Sequence, residues 1–230
     1  MTAHRRVEVS AVLLTPLIVG YACWRLWLLM AGPATWWTLG LAALAGYIGA
    51  DFMSGTVHWL ADRFGTPETP VVGPNFIKPF REHHKDPEDI TRHDFFETNG
   101  NSSVVSMPLL LATALLVPTV PGALLNVFIL GSGLSLVLGV LATNQFHKWA
   151  HMETPPSYVK RLQRWGLILE RQHHLVHHQA PFATYYCITT GWLNPLLQRL
   201  RIFETLESLS RRFLGAHPGE SDQVYLNSKT

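Results

Sequence analysis

Charge and cysteine are both scarce in this chain, and each shortage excludes a class of protein. Asp, Glu, Lys and Arg make up 15% of the 230 residues, against roughly 25% in a typical soluble domain. The deficit is concentrated. Thr98 to Phe146 is a run of 49 residues without a charged side chain, and Leu26 to Ala50 is another of 25. A soluble fold has little use for such runs, and a disordered chain or a coiled coil has none. The net charge of +2 is too small for a nucleic-acid binder, so no nucleic-acid partner is expected. Two cysteines, Cys23 and Cys187, exclude a disulfide framework, a thiolate zinc site and an iron–sulfur cluster. There is no CxxCH for haem attachment, no HExxH of the zincins and no GxSxG of a hydrolase elbow. Internal repeats and low-complexity tracts are also missing.

What is abundant is apolar. Hydrophobic residues make up 47%, yet the mean hydropathy of +0.12 is too polar for a chain lying wholly in a membrane. A bilayer core of about 30 Å takes about 20 apolar residues per helix. Four segments qualify, two of them short: 9–30, 35–50, 104–119 and 123–142. The second is expected to continue as helix toward His58. The first ends in Gly-Pro and Trp-Trp rather than a small-residue cleavage site, so it reads as an uncleaved helix. Arg25 falls near its far end, where it can snorkel. Basic residues are one-sided: Arg5 and Arg6, then Arg63, Lys78, Arg81, Lys85 and Arg92, then ten of the 18 from Lys148 onward. The turns at 31–34 and 118–122 carry none. By the positive-inside rule both termini are cytoplasmic.

The expectation is therefore an all-α integral membrane protein of one domain, with four transmembrane helices and a cytoplasmic histidine-rich helical cap. The cap comprises 51–103 and 143–218, and a loose tail follows at 219–230. The membrane is a bacterial cell membrane or, in a eukaryote, the endoplasmic reticulum; Ala-, Leu- and Arg-rich usage favours the former. Two stripes recur at helical spacing: Tyr158, Val159, Leu162, Trp165 and Leu169, and then Leu196, Leu200, Phe203, Leu206, Leu209 and Phe213. Each either lies on the membrane surface or packs within the cap.

Histidine is the compositional outlier, at 12 residues. His4 and His217, near the termini, are expected to be solvated. The other ten form four groups: His58; His83, His84 and His93; His147 and His151; and His173, His174, His177 and His178. Each group follows closely on a predicted span. Residues i and i+4 share a helix face, about 6 Å apart along the axis. His147 with His151, His173 with His177, and His174 with His178 can thus converge pairwise on a metal. Asp62, four residues after His58, can ligate or fix the histidine tautomer. A lone histidine such as His93 reads first as an ordinary surface or core residue. Clustered imidazoles without thiols point to metal, and suit Zn, Cu, Fe or Ni. Eight or nine exceed one tetrahedral zinc but suit two six-coordinate ions with positions open for dioxygen. Carboxylate-bridged iron bundles need two Glu-x-x-His motifs, and only Glu170 to His173 matches. Asn99-Gly100 reads as a turn. Tyr185, Tyr186 and Trp192 read as interfacial anchors.

The motifs in their order resemble the plasmanylethanolamine desaturase family. They run DFMSGTVHWLAD at 51–62, PVVG at 70–73, FIKPFREHHKDP at 76–87, ITRHDFFETNG at 90–100, TNQFHKWAH at 143–151, RQHHLVHH at 171–178 and YCITTGWLN at 186–194. Plastid desaturases of phosphatidylglycerol acyl chains are more distant relatives. One departure is Asn101 after ETNG, where the family pattern has Asp; it touches a side-chain contact rather than the metal site.

The resemblance implies two non-haem iron ions, dioxygen as co-substrate, and electrons from a carrier such as cytochrome b5 or a ferredoxin. The implied substrate is a membrane phospholipid, a 1-O-alkyl-2-acyl glycerophosphoethanolamine, whose alkyl chain becomes a vinyl ether. The metal site carries over to His58, Asp62, His83, His84, His93, His147, His151, His173, His174, His177 and His178. Asp51, Asp94, Glu97, Asn99 and Asn144 are expected to support those ligands or the substrate. Lys78 and Arg81 can meet a lipid phosphate, although positive-inside charge alone also accounts for them. The alternatives are a desaturase or hydroxylase of another glycerolipid chain and, in another class, a divalent-metal transporter. Transporters place ligands near the bilayer midplane, whereas the predicted spans here hold no histidine.

Overall fold

The structure, a computed structural model, describes residues 3–219. Among them there is no β-strand. The helices are α1 (Ala3–Leu29), α2 (Pro33–Arg63), α3 (Lys78–Lys85), α4 (Asp89–Arg92), α5 (Phe95–Leu116), α6 (Leu124–His151), α7 (Ser157–Arg164), α8 (Arg171–Leu175), α9 (Asn194–Arg199) and α10 (Ile202–Leu214). A π-helical turn at Gly73–Ile77 leads into α3. Two helices, from His4 to Leu29 and from Leu124 to His151, are long and apolar enough to cross a membrane. The chain forms two compact units, one of 3–51 with 93–147 and the other of 52–92 with 148–219. The predicted tail lies outside the described residues beyond Gly219.

The first unit is built on long helices brought together by small residues. A Cβ on Gly46 of α2 would stand 2.2 Å from the Ser132 carbonyl oxygen and 2.7 Å from Ser135 Cβ of α6. Ser135 Oγ donates to the Ala43 carbonyl at 2.6 Å. α1 packs along α5, and here Gly100 is required because Glu8 Cβ lies 2.5 Å from where its own Cβ would be. Asn99-Gly100 is therefore helix and not the expected turn: close helix packing, not a chain reversal, selects the glycine. α5 instead begins at Asp94, whose side chain accepts from the Glu97 amide at 2.9 Å and pairs with Arg5. At the opposite end Leu26, Leu29, Leu110, Ala114, Val127, Leu130 and Val137 are buried together. Arg25 does not simply reach for water. It donates to Val117 O at 2.7 Å, satisfying a carbonyl at the α5 C-terminus.

The second unit joins the last turns of α2 to short helices. Trp59, Tyr186, Cys187, Leu197 and Phe203 form its core. Glu207 of α10 accepts from Trp59 Nε1 at 3.1 Å and from Arg63 Nε at 2.7 Å. The two amphipathic stripes are interrupted. α7 stops before Gly166, which sits at φ +66°, and it buries Val159 and Gln163 while Tyr158 and Trp165 stay exposed. Arg201, at φ +52°, separates α9 from α10, and of the second stripe Phe203 is buried whereas the five other members are exposed.

Gly46→Ala is expected to force α2 from α6 and cost about 1–3 kcal/mol by overpacking. Gly20→Ala, where a Cβ meets nothing within 4 Å, is expected to be neutral or stabilising by up to about 1 kcal/mol. Thermal unfolding of both variants in detergent checks the contrast.

Candidate metal centre

Four stretches of the second unit carry the histidines. The last two turns of α2 present His58 and Asp62 one above the other. α3 contributes His83 and His84. His151 is the last residue of α6. α8 and the turn after it supply His174, His177 and His178. Arg81 fixes α3 against the end of α2: its guanidinium is fully buried and donates to Phe64 O at 3.3 Å and Gly65 O at 2.8 Å.

The imidazoles gather in two groups that share His83. In the first, the ligand atoms of His58, His83, His84 and His177 lie within 4.8 Å of one another. Asp62 Oδ2 lies 3.3 Å from His58 Nε2, 3.5 Å from His177 Nε2 and 3.7 Å from His84 Nε2, and all four side chains are fully buried. In the second, the ligand atoms of His83, His151, His174 and His178 lie equally close. His174 Nε2 is 2.9 Å from His151 Nε2 and 3.0 Å from His178 Nε2.

Hydrogen bonds behind the rings assign the tautomers. His58 Nδ1 faces Tyr186 O at 3.0 Å and His177 Nδ1 faces Thr184 O at 2.7 Å. A carbonyl only accepts, so each Nδ1 carries the proton and each Nε2 points a lone pair inward. His177 Nε2 nevertheless lies 2.9 Å from His84 Nε2. Metal–nitrogen bonds of about 2.1 Å at right angles set neighbouring donors about 3.0 Å apart. The observed spacings fit donors arranged around cations.

Burial also keeps the rings neutral. It pushes His177 down to about 4. Burial, then the neighbouring His177 and His151, pushes His178 down to about 2. His84 falls well below its ordinary value, first through burial and then through the rings around it. At neutral pH these nitrogens offer lone pairs, not protons.

Most of the other residues marked from the sequence stand apart from these groups. His173 lies outside both groups, with Nε2 3.1 Å from Asn194 Nδ2. His147 belongs to the first unit and sits one turn before His151 on the same helix. His93 is part-exposed, 3.8 Å from Glu97. His4 and His217 are exposed, as expected, although His4 also approaches Glu8 at 3.3 Å. Asp51 is fully buried in the first unit. There too, Asn99 Nδ2 donates to Phe95 O, and Asn144 Nδ2 to Thr98 O and Ser102 Oγ. Lys78 is half-exposed beside Glu82. Arg81 is enclosed on backbone carbonyls, so the lipid-phosphate contact does not hold for it. The carbonyls of Thr184 and Tyr186 had no signal in the sequence, because every residue carries one.

The lipid desaturase domain family matches residues 47–221. A plasmanylethanolamine desaturase of Myxococcus xanthus is 43% identical over 96% of this chain and 76% of its own length. Plasmanylethanolamine desaturase 1 of Mus musculus is 44% identical over 80% of this chain and 69% of its own. The chloroplastic fatty acid desaturase 4 of Arabidopsis thaliana is 37% identical over 77% of this chain and 53% of its own. No solved structure matches this chain.

Asp62→Asn keeps the shape and removes the buried negative charge. Affinity for Co2+ or Fe2+, measured by equilibrium titration of the purified chain, is expected to fall at least tenfold, by analogy with roughly 10–100-fold losses around other metal sites. An unchanged affinity would show that the carboxylate serves no cation.

Proposed function

The chain belongs to the lipid desaturase domain family, and from that premise we propose that it converts plasmanylethanolamine to the vinyl ether plasmalogen at a histidine-held pair of iron ions. The observation that carries the reading is the convergence of three imidazole nitrogens on Asp62 Oδ2 within 3.7 Å, beside a second imidazole group sharing His83. The identity of 43–44% to plasmanylethanolamine desaturases over most of the chain supports the substrate.

The alkyl C–H bonds next to an ether oxygen are inert to acid–base chemistry, so a redox metal is needed and no tuned side chain replaces it. Iron supplies that chemistry: two hydrogens leave adjacent carbons while dioxygen, two electrons and two protons become two waters. An external carrier, such as cytochrome b5 or a ferredoxin, provides the electrons. His58, Asp62, His84 and His177 would hold one ion and His151, His174 and His178 the other, with His83 common to both groups. His147 joins the second set on its helical spacing from His151. The protein's own task is to keep these rings neutral, aimed and dry. The Thr184 and Tyr186 carbonyls hold the Nδ1 protons, and burial excludes competing water.

The four long helices α1, α2, α5 and α6 are read as four spans, with both termini cytoplasmic and the histidines just past the membrane boundary. The one-sided basic residues support that topology. An ether bond lies near the headgroup, so a centre at that depth meets the reacting carbons without drawing the lipid out. A desaturase of another glycerolipid chain has weaker support, from the 37% relative. A transporter has less, since the grouped histidines follow the apolar segments instead of interrupting them.

The test is expression in a host that contains alkyl ether lipids but no vinyl ether lipids, with a competent reductant. Acid-released aldehydes are expected with the wild type and are expected to vanish with His174→Ala or His178→Ala. Absence of aldehyde from the wild type, with desaturated acyl chains in its place, would favour the other glycerolipid reading.

A further inference from the structure

The segment 184–188 lines one side of the first imidazole group, and its backbone is held from two directions. From α2, Ser54 Oγ accepts the Ile188 amide at 3.0 Å. Gly55 makes room, since a Cβ there would stand 2.4 Å from Cys187 Sγ. From the other side comes Asn194, the first residue of α9, which is buried. Its Oδ1 accepts the Cys187 amide at 2.8 Å, and its Nδ2 donates to Cys187 O at 2.9 Å and to His173 Nε2 at 3.1 Å. One carboxamide thus grips both backbone groups of a single residue and one imidazole. Asp offers no N–H for this pattern, and an apolar side chain offers nothing. Gly191, at φ +77°, completes the seat: a Cβ on it would meet His173 Nε2 at 2.5 Å.

The gripped residue is next to Tyr186, whose carbonyl takes the Nδ1 proton of His58, and three from Thr184, whose carbonyl takes that of His177. A shift of this short segment misaims both rings. We propose that Asn194 is a positioning residue for the metal centre, acting through the Cys187 backbone on His58 and His177, and that His173 is its partner and not a metal ligand. The four-histidine run at 173–178 therefore divides its labour: His174, His177 and His178 face the centre, and His173 ties it to the segment that orients two of its rings. This inference rests on the metal centre proposed above.

The experiment uses the full chain purified in detergent, stripped of metal and reloaded anaerobically with Fe2+, and separately with Co2+, whose visible absorption reports coordination. Wild type is expected to bind two ions. Asn194→Leu, similar in size, is expected to bind one of them at least tenfold more weakly and to change the Co2+ spectrum. His173→Gln, which keeps an acceptor for Asn194, is expected to retain both ions and the wild-type spectrum. Wild-type stoichiometry and spectrum in Asn194→Leu would overturn the proposal, as would loss of an ion in His173→Gln. If Asn194→Leu aggregates on size exclusion, Asn194→Ser decides in its place: intermediate affinity supports the role and wild-type affinity overturns it. If the wild type binds neither ion, the metal centre falls and this inference falls with it.

Discussion

One imidazole group of the second unit is arranged around a carboxylate taken out of water. Asp62 is fully buried and ringed by imidazole nitrogens at 3.3–3.7 Å. An isolated buried carboxylate costs several kcal/mol after relaxation, and it normally shifts its pKa or finds a cation. His177 and His84 beside it are kept neutral by burial, and His84 also by the rings around it, so these two bring no compensating charge. A buried carboxyl group among neutral imidazole lone pairs is a chemically apt receptor for positive ions.

Holding the rings requires different devices on different sides. The long helix α2 delivers His58 and Asp62 in register by its own periodicity, because i and i+4 share a face. α3 is too short to fix itself. Arg81, two residues before His83, reaches back to the Phe64 and Gly65 carbonyls just past α2 and ties the two helices into one support. α8 is shorter still, and the ring of His177 in the turn after it is oriented by the Thr184 carbonyl. Arg171 Nη1 joins it to the end of α6 by donating to His151 O at 2.7 Å. The site is therefore built from helix ends and from the non-helical segment 184–188, where backbone carbonyls outside the helical ladder accept from side chains.

The legible part of this architecture was what local pattern encodes. Uncharged runs announced the long helices, and the spacing of His58 with Asp62, and of His174 with His178, announced pairs sharing a face. The illegible part was set by distant partners. Asn99-Gly100 has the composition of a turn, yet it lies inside α5, where the close approach of Glu8 from α1 is what requires the glycine. The stripe from Tyr158 to Leu169 fits one amphipathic helix until Gly166 adopts a positive φ, which a glycine permits but does not announce. His173 and His177 look equivalent by spacing. They part because α8 ends at Leu175, and because Asn194, 21 residues later, captures the first while Thr184 captures the second. No periodicity within a segment contains that information.

The donor set also explains why the chain departs from carboxylate-rich iron sites. Four carboxylates around two divalent ions cancel their charge, which suits a polar interior. Here a single carboxylate accompanies seven imidazoles in the second unit, His58, His83, His84, His151, His174, His177 and His178, and only His58, His84 and His177 are seen within 3.7 Å of it. Two divalent ions would keep most of their positive charge. A site of that kind is costly to assemble without its metal only through Asp62, since neutral imidazoles tolerate burial far better than carboxylates do. Neutral rings can therefore stand close together in the folded chain before any ion arrives. That order is difficult for a cluster of buried carboxylates, which would repel one another and draw protons or water until metal arrived. A neutral ligand set is the solution consistent with a centre that must stay dry next to a lipid substrate.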